Sequence, residues 1–248
     1  MSSELPKSTG APAHQNVTFP SAGGTAHGYL ALPPSGSGPG VIVIQEWWGL
    51  TDHIADVADR LAQEGFVAFA PDLYGGNVAH ESDEALRMML ALPVARGVEL
   101  LSGAVDHLLG LPEVTSDTVG AVGFCMGGGM AIVTAGAYPD RFAAVASFHG
   151  GNLATDAPSS PHRSAPRLKA EVYIAAADHD DSYPPAMAAR LETALDEAGV
   201  RYRAETYHGA AHGWMKPDFP VYDPAAAERG WSEMLTFFDR TLKHPAVR

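Results

Sequence analysis

Apolar positions along the chain fall into two patterns, short continuous runs and longer stripes with helical spacing. Apolar runs of strand length occupy residues 41–45, 66–70, 119–124, 143–147 and 172–176, and a last strand is predicted over residues 203–207. Helical spacing marks residues 53–64, 82–92, 96–109, 126–137, 185–198 and 225–242. Continuous apolar runs are typical of strands that helices cover on both faces, and strands that alternate with helices favour parallel pairing. The pattern predicts an α/β fold with a mostly parallel central sheet and helices on both faces.

The N-terminal part departs from this alternation. Residues 17–19 and 26–32 alternate weakly around Gly23-Gly24, which predicts an antiparallel hairpin. Residues 1–16 are polar and lack periodicity, so we expect them to form a disordered tail.

The rest of the chain, residues 17–248, shows no internal repeat and no linker between two hydrophobic units. A chain of 248 residues fits one large α/β domain, so a single domain is predicted. One irregular stretch, residues 150–168, is rich in Ser and Pro. It is too long for an ordinary connection, and we expect it to border the active site.

Composition and charge narrow the classes of partner. The chain is 46% hydrophobic and 18% charged, with a formal net charge of −13. Such a charge argues against a nucleic-acid backbone or an anionic membrane surface as a partner. The start of the chain has no apolar core of signal-peptide length, and no run reaches the ~18 apolar residues of a membrane span. We expect a cytoplasmic protein with a small-molecule substrate, as a monomer or small homo-oligomer.

The chain has one cysteine, which excludes an intrachain disulfide framework and a Cys-rich metal site. Cys125 stands in the frame Gly123-x-Cys125-x-Gly127, which has the form of the nucleophile elbow G-x-S-x-G with sulfur in place of oxygen. A predicted strand leads into this frame and a predicted helix leads out. At the helix N-terminus, unpaired N–H groups and the helix dipole favour a thiolate and later an oxyanion. The sequence therefore predicts Cys125 as a nucleophile.

A nucleophilic thiol needs a base, and His212 is the predicted one, in a glycine-flanked loop after the last predicted strand. Asp178, shortly after a predicted strand, is predicted to orient its imidazole. The order Cys, Asp, His along the chain is that of the α/β-hydrolases. Asp180 and Asp181 compete with Asp178, which is favoured because it lies nearest the predicted strand end. His208 competes with His212 and is interpreted as a strand-end histidine.

A metal site is the alternative for this acidic run and its two neighbouring histidines, because carboxylates and imidazoles are common ligands. The chain contains no H-E-x-x-H frame. A triad accounts better for groups that stand in loops at one edge of a sheet. We therefore expect no metal and no organic cofactor.

Glu46 directly follows the buried run at residues 41–45. A carboxylate near a sheet end is costly unless it is paired; the other interpretation is a solvated loop acid beside aromatic residues. In α/β-hydrolases, the position after this strand supplies one N–H of the oxyanion hole. The backbone amides of Trp47 and Met126 are therefore the predicted oxyanion-hole pair.

Five segments together resemble the dienelactone hydrolase family of α/β-hydrolases. They are QEWWG at 45–49, APDLYGG at 70–76, GFCMGGG at 123–129, the Asp178-His179 pair, and AHGW at 211–214. The segments follow one another in order over nearly the whole chain after Val17. A glutamate after the strand combined with a cysteine elbow is far more specific than the elbow alone.

The resemblance implies an α/β-hydrolase fold and a triad of Cys125, His212 and Asp178. It also implies that Glu46 interacts with the resting thiol and helps to ionise it when substrate displaces the carboxylate. The family's reaction is hydrolysis of an enol-lactone that carries a carboxylate, through a thioester, in the degradation of chlorocatechol and related aromatic compounds. A broad-specificity carboxylesterase on the same scaffold is one alternative function. A non-catalytic or thiol-redox protein is the other.

The positions that bind the substrate carboxylate depart from the family pattern. The family places an arginine four residues after the catalytic histidine, where this chain has Lys216, which supplies one charge without the fork of a guanidinium. Arg87 is a loose candidate for a second family arginine, and both residues also fit ordinary surface charges. Trp48, Trp214 and Tyr74 are the other predicted substrate-binding residues.

Overall fold

A computed structural model describes residues 14–244 of the chain. Its strands are β1 (Val17–Ser21), β2 (Gly24–Ala31), β3 (Gly40–Ile44), β4 (Val67–Pro71), β5 (Val119–Phe124), β6 (Phe142–Phe148), β7 (Glu171–His179) and β8 (Tyr202–Ala211). Its α-helices are α1 (Asp52–Gln63), α2 (Ser82–Ala91), α3 (Val94–Leu109), α4 (Met126–Ala137), α5 (Pro185–Glu197) and α6 (Pro224–Phe238). A π-helical segment, Asp239–Lys243, continues α6.

The strands form one sheet in the order β1-β2-β4-β3-β5-β6-β7-β8. β1 pairs with β2, and β2 with β4, in antiparallel orientation. The remaining neighbours are parallel. The predicted α/β class with a mostly parallel sheet is confirmed, and so is the predicted N-terminal hairpin.

The chain just before β1 lies against the sheet. The Asn16 backbone N–H donates to the Gly28 carbonyl at 3.0 Å, and Gln15 Nε2 donates to Asp72 Oδ2 at 2.7 Å. The predicted disordered tail therefore extends too far along the chain, because Gln15 and Asn16 are held against the sheet by these hydrogen bonds. Its other residues, 1–13, lie outside the described part of the chain.

Two hydrophobic clusters cover the two faces of the sheet. Buried side chains of α2, α3, α4 and α5 form one cluster, and those of α1 and α6 form the other. The strands alternate between them: Ile42 and Ile44 of β3 face the first cluster, whereas Val41 and Val43 face the second. This burial on both faces explains why the central strands read as continuous apolar runs.

Strands β7 and β8 run further than the apolar runs predicted. β7 continues to His179, which pairs with Ala211 of β8, and the His212 N–H donates to the His179 carbonyl at 3.2 Å. The added residues are polar or small, so they carry no apolar signal. The loops at this edge of the sheet therefore begin at Asp180 and His212.

The irregular stretch at residues 150–168 packs on the loop after β7. The Asn152 N–H donates to the Ser182 carbonyl at 2.7 Å, and a short 3-10 helix, Pro161–Arg167, closes the stretch. A Cβ placed on Gly151 would lie 3.8 Å from Cε1 of His212. The expectation that this stretch borders the predicted site is met at Gly151.

Between residues 14 and 244, no single helix is both long and apolar enough to cross a membrane. Helices α2 and α3 reach the required length and composition only as a pair, and they are bent by 82° relative to each other.

Candidate active site

The turn between β5 and α4 carries the thiol in a strained backbone conformation. Cys125 has φ 53° and ψ −117°, a region that side chains with a Cβ rarely occupy. A Cβ on Gly123 would lie 2.0 Å from the Gly127 carbonyl oxygen, so the strand and helix meet more closely than any other residue allows. The sharp strand-to-helix turn expected of a nucleophile elbow is present.

His212 connects this thiol to a carboxylate. Its Nδ1 lies 2.7 Å from Oδ2 of Asp180, and its side chain also forms a hydrogen bond with Cys125. Burial lowers the pKa of His212, but the hydrogen bonds with Asp180 and Cys125 outweigh burial and raise that pKa to about 10. The arrangement therefore favours the protonated, imidazolium form of His212 beside the Cys125 side chain.

The carboxylate that contacts His212 is Asp180, so the expected pairing of His212 with Asp178 is wrong. Asp178 still belongs to β7, where it accepts a hydrogen bond from the Gly209 N–H at 3.0 Å. That hydrogen bond is the largest cause of its lowered pKa. The rule that the first carboxylate after the strand orients the imidazole holds, but it was applied to a strand end placed too early.

Asp180 is held in place by Ser182 as well as by the imidazole. The Ser182 hydroxyl and backbone N–H donate to Oδ1 of Asp180 at 2.5 Å and 2.8 Å. Burial acts to raise the pKa of Asp180, but the hydrogen bonds from His212 and Ser182 lower it on balance. The carboxylate therefore stays ionised, with each oxygen committed to a donor.

Glu46 lies in the loop after β3 and is buried. Burial raises its pKa to about 7, against the opposing attraction of Lys216 and His212. Its Oε2 has no hydrogen-bond partner in the described part of the chain, and the described partner of the thiol is His212. Glu46 is thus a buried carboxyl group that is attracted by the charge of His212. At neutral pH the Glu46 carboxyl group is close to half-protonated.

The two predicted oxyanion-hole amides stand where α4 meets the end of β3. A Cβ on Gly127 would lie 2.6 Å from the Gln45 carbonyl oxygen, so the first turn of α4 touches the loop that carries Trp47. Across residues 14–244, neither the Trp47 nor the Met126 backbone N–H has an acceptor. Neither amide is therefore committed to another described backbone group, and their role as an oxyanion hole stays a prediction.

Lys216 is buried beside Glu46 and is paired. Its ammonium contacts Oδ1 of Asp218, and its Nζ lies 5.0 Å from the centre of the Phe219 ring. Phe219 in turn packs edge-on against Trp48 at 5.4 Å. Lys216, Phe219 and Trp48 therefore form one side of the site.

The remaining predicted substrate-binding residues occupy three different settings. The Tyr74 hydroxyl lies 3.5 Å from Sδ of Met126, and burial, together with the charge of Cys125, raises its pKa. Trp214 is fully buried and stacks on Tyr207 with ring centres 4.9 Å apart. It therefore belongs to the core that supports the site and does not face a substrate. Arg87 is exposed on α2, and none of its described contacts brings it to the thiol.

His149, which follows β6 at the same edge of the sheet, was not among the predicted site residues. Its ring is fully buried and lies edge-on to His212 at 5.3 Å and to Trp214 at 5.1 Å. Burial, followed by repulsion from His212 and His53, holds the pKa of His149 well below its usual value. His149 is therefore a neutral ring behind the imidazole. The strand-end rule that selected Glu46 would have found it.

The acidic run after β7 and its histidines do not converge on one point. Within residues 14–244, no group of three or more His, Cys, Asp or Glu side chains is placed to hold a metal ion. Asp178 and His208 point to solvent, whereas Asp180 and His212 point to the thiol. The described residues therefore offer no built metal site.

Comparison with known proteins identifies the family to which the chain is similar. The model of the dienelactone hydrolase family matches residues 26–242. A protein of Aquifex pyrophilus called usf is 33% identical over 92% of this chain and 99% of its own length. A provisionally named carboxymethylenebutenolidase of Synechocystis is 32% identical over 92% of this chain and 96% of its own length.

Solved structures show the same fold. A dienelactone hydrolase, provisionally so named, from Klebsiella pneumoniae superposes with a TM-score of 0.82 at 27% identity, over 93% of this chain and 98% of its own. A dienelactone hydrolase-like promiscuous phosphotriesterase from metagenomic libraries also gives a TM-score of 0.82, at 25% identity, over 94% and 100%. The chain belongs to the dienelactone hydrolase family and is an ester hydrolase with the α/β-hydrolase fold.

Proposed function

We propose that this chain hydrolyses a small enol-lactone or activated ester through a thioester on Cys125. The observation that carries the proposal is His212, which forms hydrogen bonds with both Cys125 and the buried Asp180. This is the geometry of a nucleophile, a base and an orienting carboxylate. We also propose a cytoplasmic location, because a free thiol persists in a reducing compartment.

Acylation begins with attack of the thiolate sulfur on the substrate carbonyl carbon. The carbonyl π electrons move onto oxygen, and the N–H groups of Trp47 and Met126 stabilise the resulting oxyanion. When the carbonyl re-forms, the bond to the ring oxygen breaks and the enolate leaves. The His212 imidazolium holds the proton that this oxygen or its carbon takes up. An enolate is a good leaving group, so a weakly basic thiolate is sufficient.

Deacylation uses His212 in the opposite direction. The neutral imidazole takes a proton from water as the oxygen attacks the thioester, and the thiolate leaves with the electrons of the C–S bond. Asp180 stabilises the imidazolium in both half-reactions. We propose that Glu46, with a pKa of about 7, accepts the thiol proton when substrate enters and so limits thiolate formation to the occupied site.

The test is hydrolysis of cis- and trans-dienelactone and of an aryl acetate by the wild type and Cys125→Ala. We expect the variant to lose at least about 10³-fold in kcat/KM on every substrate that the wild type cleaves. Rapid acid quench followed by mass spectrometry should show the acyl group on wild-type Cys125. Arg163→Ala, an exposed change in the irregular stretch at 150–168, serves as the matched control.

Two results would count against the proposal. Unchanged turnover in Cys125→Ala would exclude the thiol as nucleophile. A pre-steady-state burst of product without an acyl group on Cys125 would exclude the covalent intermediate. Comparable turnover of aryl acetate and dienelactones would instead assign a broad-specificity carboxylesterase.

A further inference from the structure

Lys216 is unusual among the lysines between residues 14 and 244 because its side chain is only 6% exposed. Its ammonium is bound by Asp218, whose side chain is 73% exposed. A buried ammonium must be paired, and the partner of this one is a carboxylate whose side chain is mostly exposed to solvent. The pair therefore joins a buried cation in the site to a carboxylate at the surface.

The turn that carries this pair is fastened to the wall of the site. The Lys216 N–H donates to the Gly213 carbonyl at 3.0 Å, and the Phe219 N–H donates to the Lys216 carbonyl at 3.0 Å. A Cβ on Gly213 would lie 3.2 Å from the Phe219 ring, and that ring packs on Trp48. These contacts hold Asp218 over Lys216 rather than leaving it free in solution.

We propose that Asp218 is a specificity-determining residue: it occupies Lys216 and makes the site prefer uncharged lactones and esters over those that carry a carboxylate. The proposal rests on the hydrolase function proposed above, and it assigns that function a substrate class. Asp218 here takes the place that a substrate carboxylate would need.

The charges around Lys216 support this assignment. Lys216 already faces two carboxyl groups, the contacting Asp218 and the nearby Glu46. A substrate carboxylate at Lys216 must displace Asp218 or add a third acidic group around one ammonium, and like charges at this range repel. An uncharged lactone meets no such competition.

Loss of Asp218 should therefore release the cation without disturbing the core. Asp218 is mostly exposed, so asparagine keeps its volume and remains solvated. With its charge gone, Lys216 has only Glu46 as an acidic neighbour and gains affinity for an anionic substrate. The Asp218 side of the pair is exposed to water, which screens its charge, so the expected effect is about fivefold in affinity.

The experiment compares two lactones with the same ring: cis-dienelactone, which carries a carboxylate, and γ-methylenebutenolide, which does not. The quantity measured is the ratio of their kcat/KM values at fixed ionic strength. In Asp218→Asn we expect the ratio to rise about fivefold in favour of dienelactone, through a lower KM for the anionic lactone. Adding Lys216→Met to Asp218→Asn should remove the gain, because the released cation is then absent.

Asp140→Asn is the matched control. It removes the same charge from another Lys–Asp contact, Lys169 to Asp140 at 2.6 Å, at the opposite end of the sheet. The control should leave the ratio unchanged. If Asp218→Asn also moves the ratio by less than twofold, or if Asp140→Asn moves it equally, the role of Asp218 is overturned.

The outcomes separate this inference from the function on which it rests. If the wild type opens both rings and Cys125→Ala opens neither, while the ratio ignores Asp218, only the specificity role is lost. If the wild type opens neither ring, the proposed function and the specificity role both fail. Asp218→Ala repeats the test in case the asparagine amide itself binds Lys216.

Discussion

Strands β7 and β8 carry two Asp–His pairs side by side, and the pairs differ in almost every physical respect. Asp178 and His208 are 3.6 Å apart, with side chains 37% and 90% exposed. Asp180 and His212 are 2.7 Å apart, with side chains 2% and 31% exposed. The same two residue types, a few positions apart on the same strands, thus give a solvated surface contact and a buried, thiol-linked pair.

The difference shows that location at the strand end, rather than residue type, determines the chemistry. The outer pair belongs to the strands, whose side chains here face water, so its charges are screened and contribute little. The inner pair begins the loops, where the chain turns toward the thiol. There, burial removes competing water, and both oxygens of Asp180 have hydrogen-bond partners.

The test with the largest expected effect removes the negative charge of the carboxylate in each pair. Asp180→Asn should lower kcat/KM about 10³-fold, because asparagine stabilises neither the required tautomer nor the imidazolium of His212. It should also slow alkylation of Cys125 by iodoacetamide near pH 8, since the pKa of His212 falls without its carboxylate. Steady-state kinetics and the alkylation rate are the measurements.

Asp178→Asn is the control from the outer pair, and it should change kcat/KM by less than about threefold. Equal losses in the two variants would show that the two carboxylates act together. A larger loss in Asp178→Asn would return Asp178 to the triad.

The sequence predicted most of the fold because the alternation of apolar runs and helical stripes is a local property. β5 and α4 have the bounds that the pattern predicted, and the hairpin is where the glycine pair placed it. The ends of β7 and β8 were missed because their last residues are polar, glycine or alanine and so form no run of large apolar side chains. Pairing with a neighbour, rather than composition, sets where those strands end.

The same distinction separates the site residues that the sequence identified from those it missed. The Cys125 elbow is encoded within five positions, and His212 stands in a recognisable glycine-flanked loop. Asp180 and Asp218 acquire their contacts only when distant segments meet in the folded chain. A sequence pattern shows that such carboxylates are near the site, but not which of them touches the imidazole or the lysine.

The elbow explains why only the inner pair meets a thiol, and Gly123→Ala tests it. A Cβ there would lie 2.0 Å from the backbone oxygen of Gly127, which no side-chain adjustment relieves. We expect a loss of about 3 kcal/mol in the free energy of unfolding, measured by urea denaturation. Gly24→Ala, where an added Cβ meets nothing within 4 Å, should change stability by less than about 1 kcal/mol. A stable Gly123→Ala protein would contradict the close approach of strand and helix.

Glu46 tests what burial does to a charge beside the inner pair. Its pKa is raised from 4.5 to about 7. Between these two pH values the folded state keeps a proton that the unfolded state has released. The stability due to this group is therefore lost as pH rises from about 4.5 through 7. Glu46→Gln should therefore be more stable than the wild type by about 3 kcal/mol at pH 8.5 and equal to it near pH 4. The exposed change Glu64→Gln should leave stability within about 0.5 kcal/mol at either pH. A destabilised Glu46→Gln at pH 8.5 would mean that the pairing with Lys216 outweighs the burial of the carboxylate.

Ser182 is the finest difference between the pairs, because only the inner carboxylate has a hydroxyl donor. Ser182→Ala removes the 2.5 Å bond to Asp180 but keeps the backbone N–H bond at 2.8 Å. Asp180 should then hold the imidazole less firmly, and we expect kcat/KM to fall about five- to tenfold, near 1 kcal/mol for one hydrogen bond. The loss should lie in kcat rather than KM, since the Ser182 hydroxyl contacts Asp180 and lies 3.4 Å from Nδ1 of His212, the two groups that act on the thiol. Ser159→Ala, an exposed serine in the neighbouring irregular stretch, controls for hydroxyl removal. If Ser182→Ala lost as much activity as Asp180→Asn, the hydroxyl itself would be required for catalysis. Burial of Asp180 and its one backbone N–H donor would then not account for the difference between the inner and the outer pair.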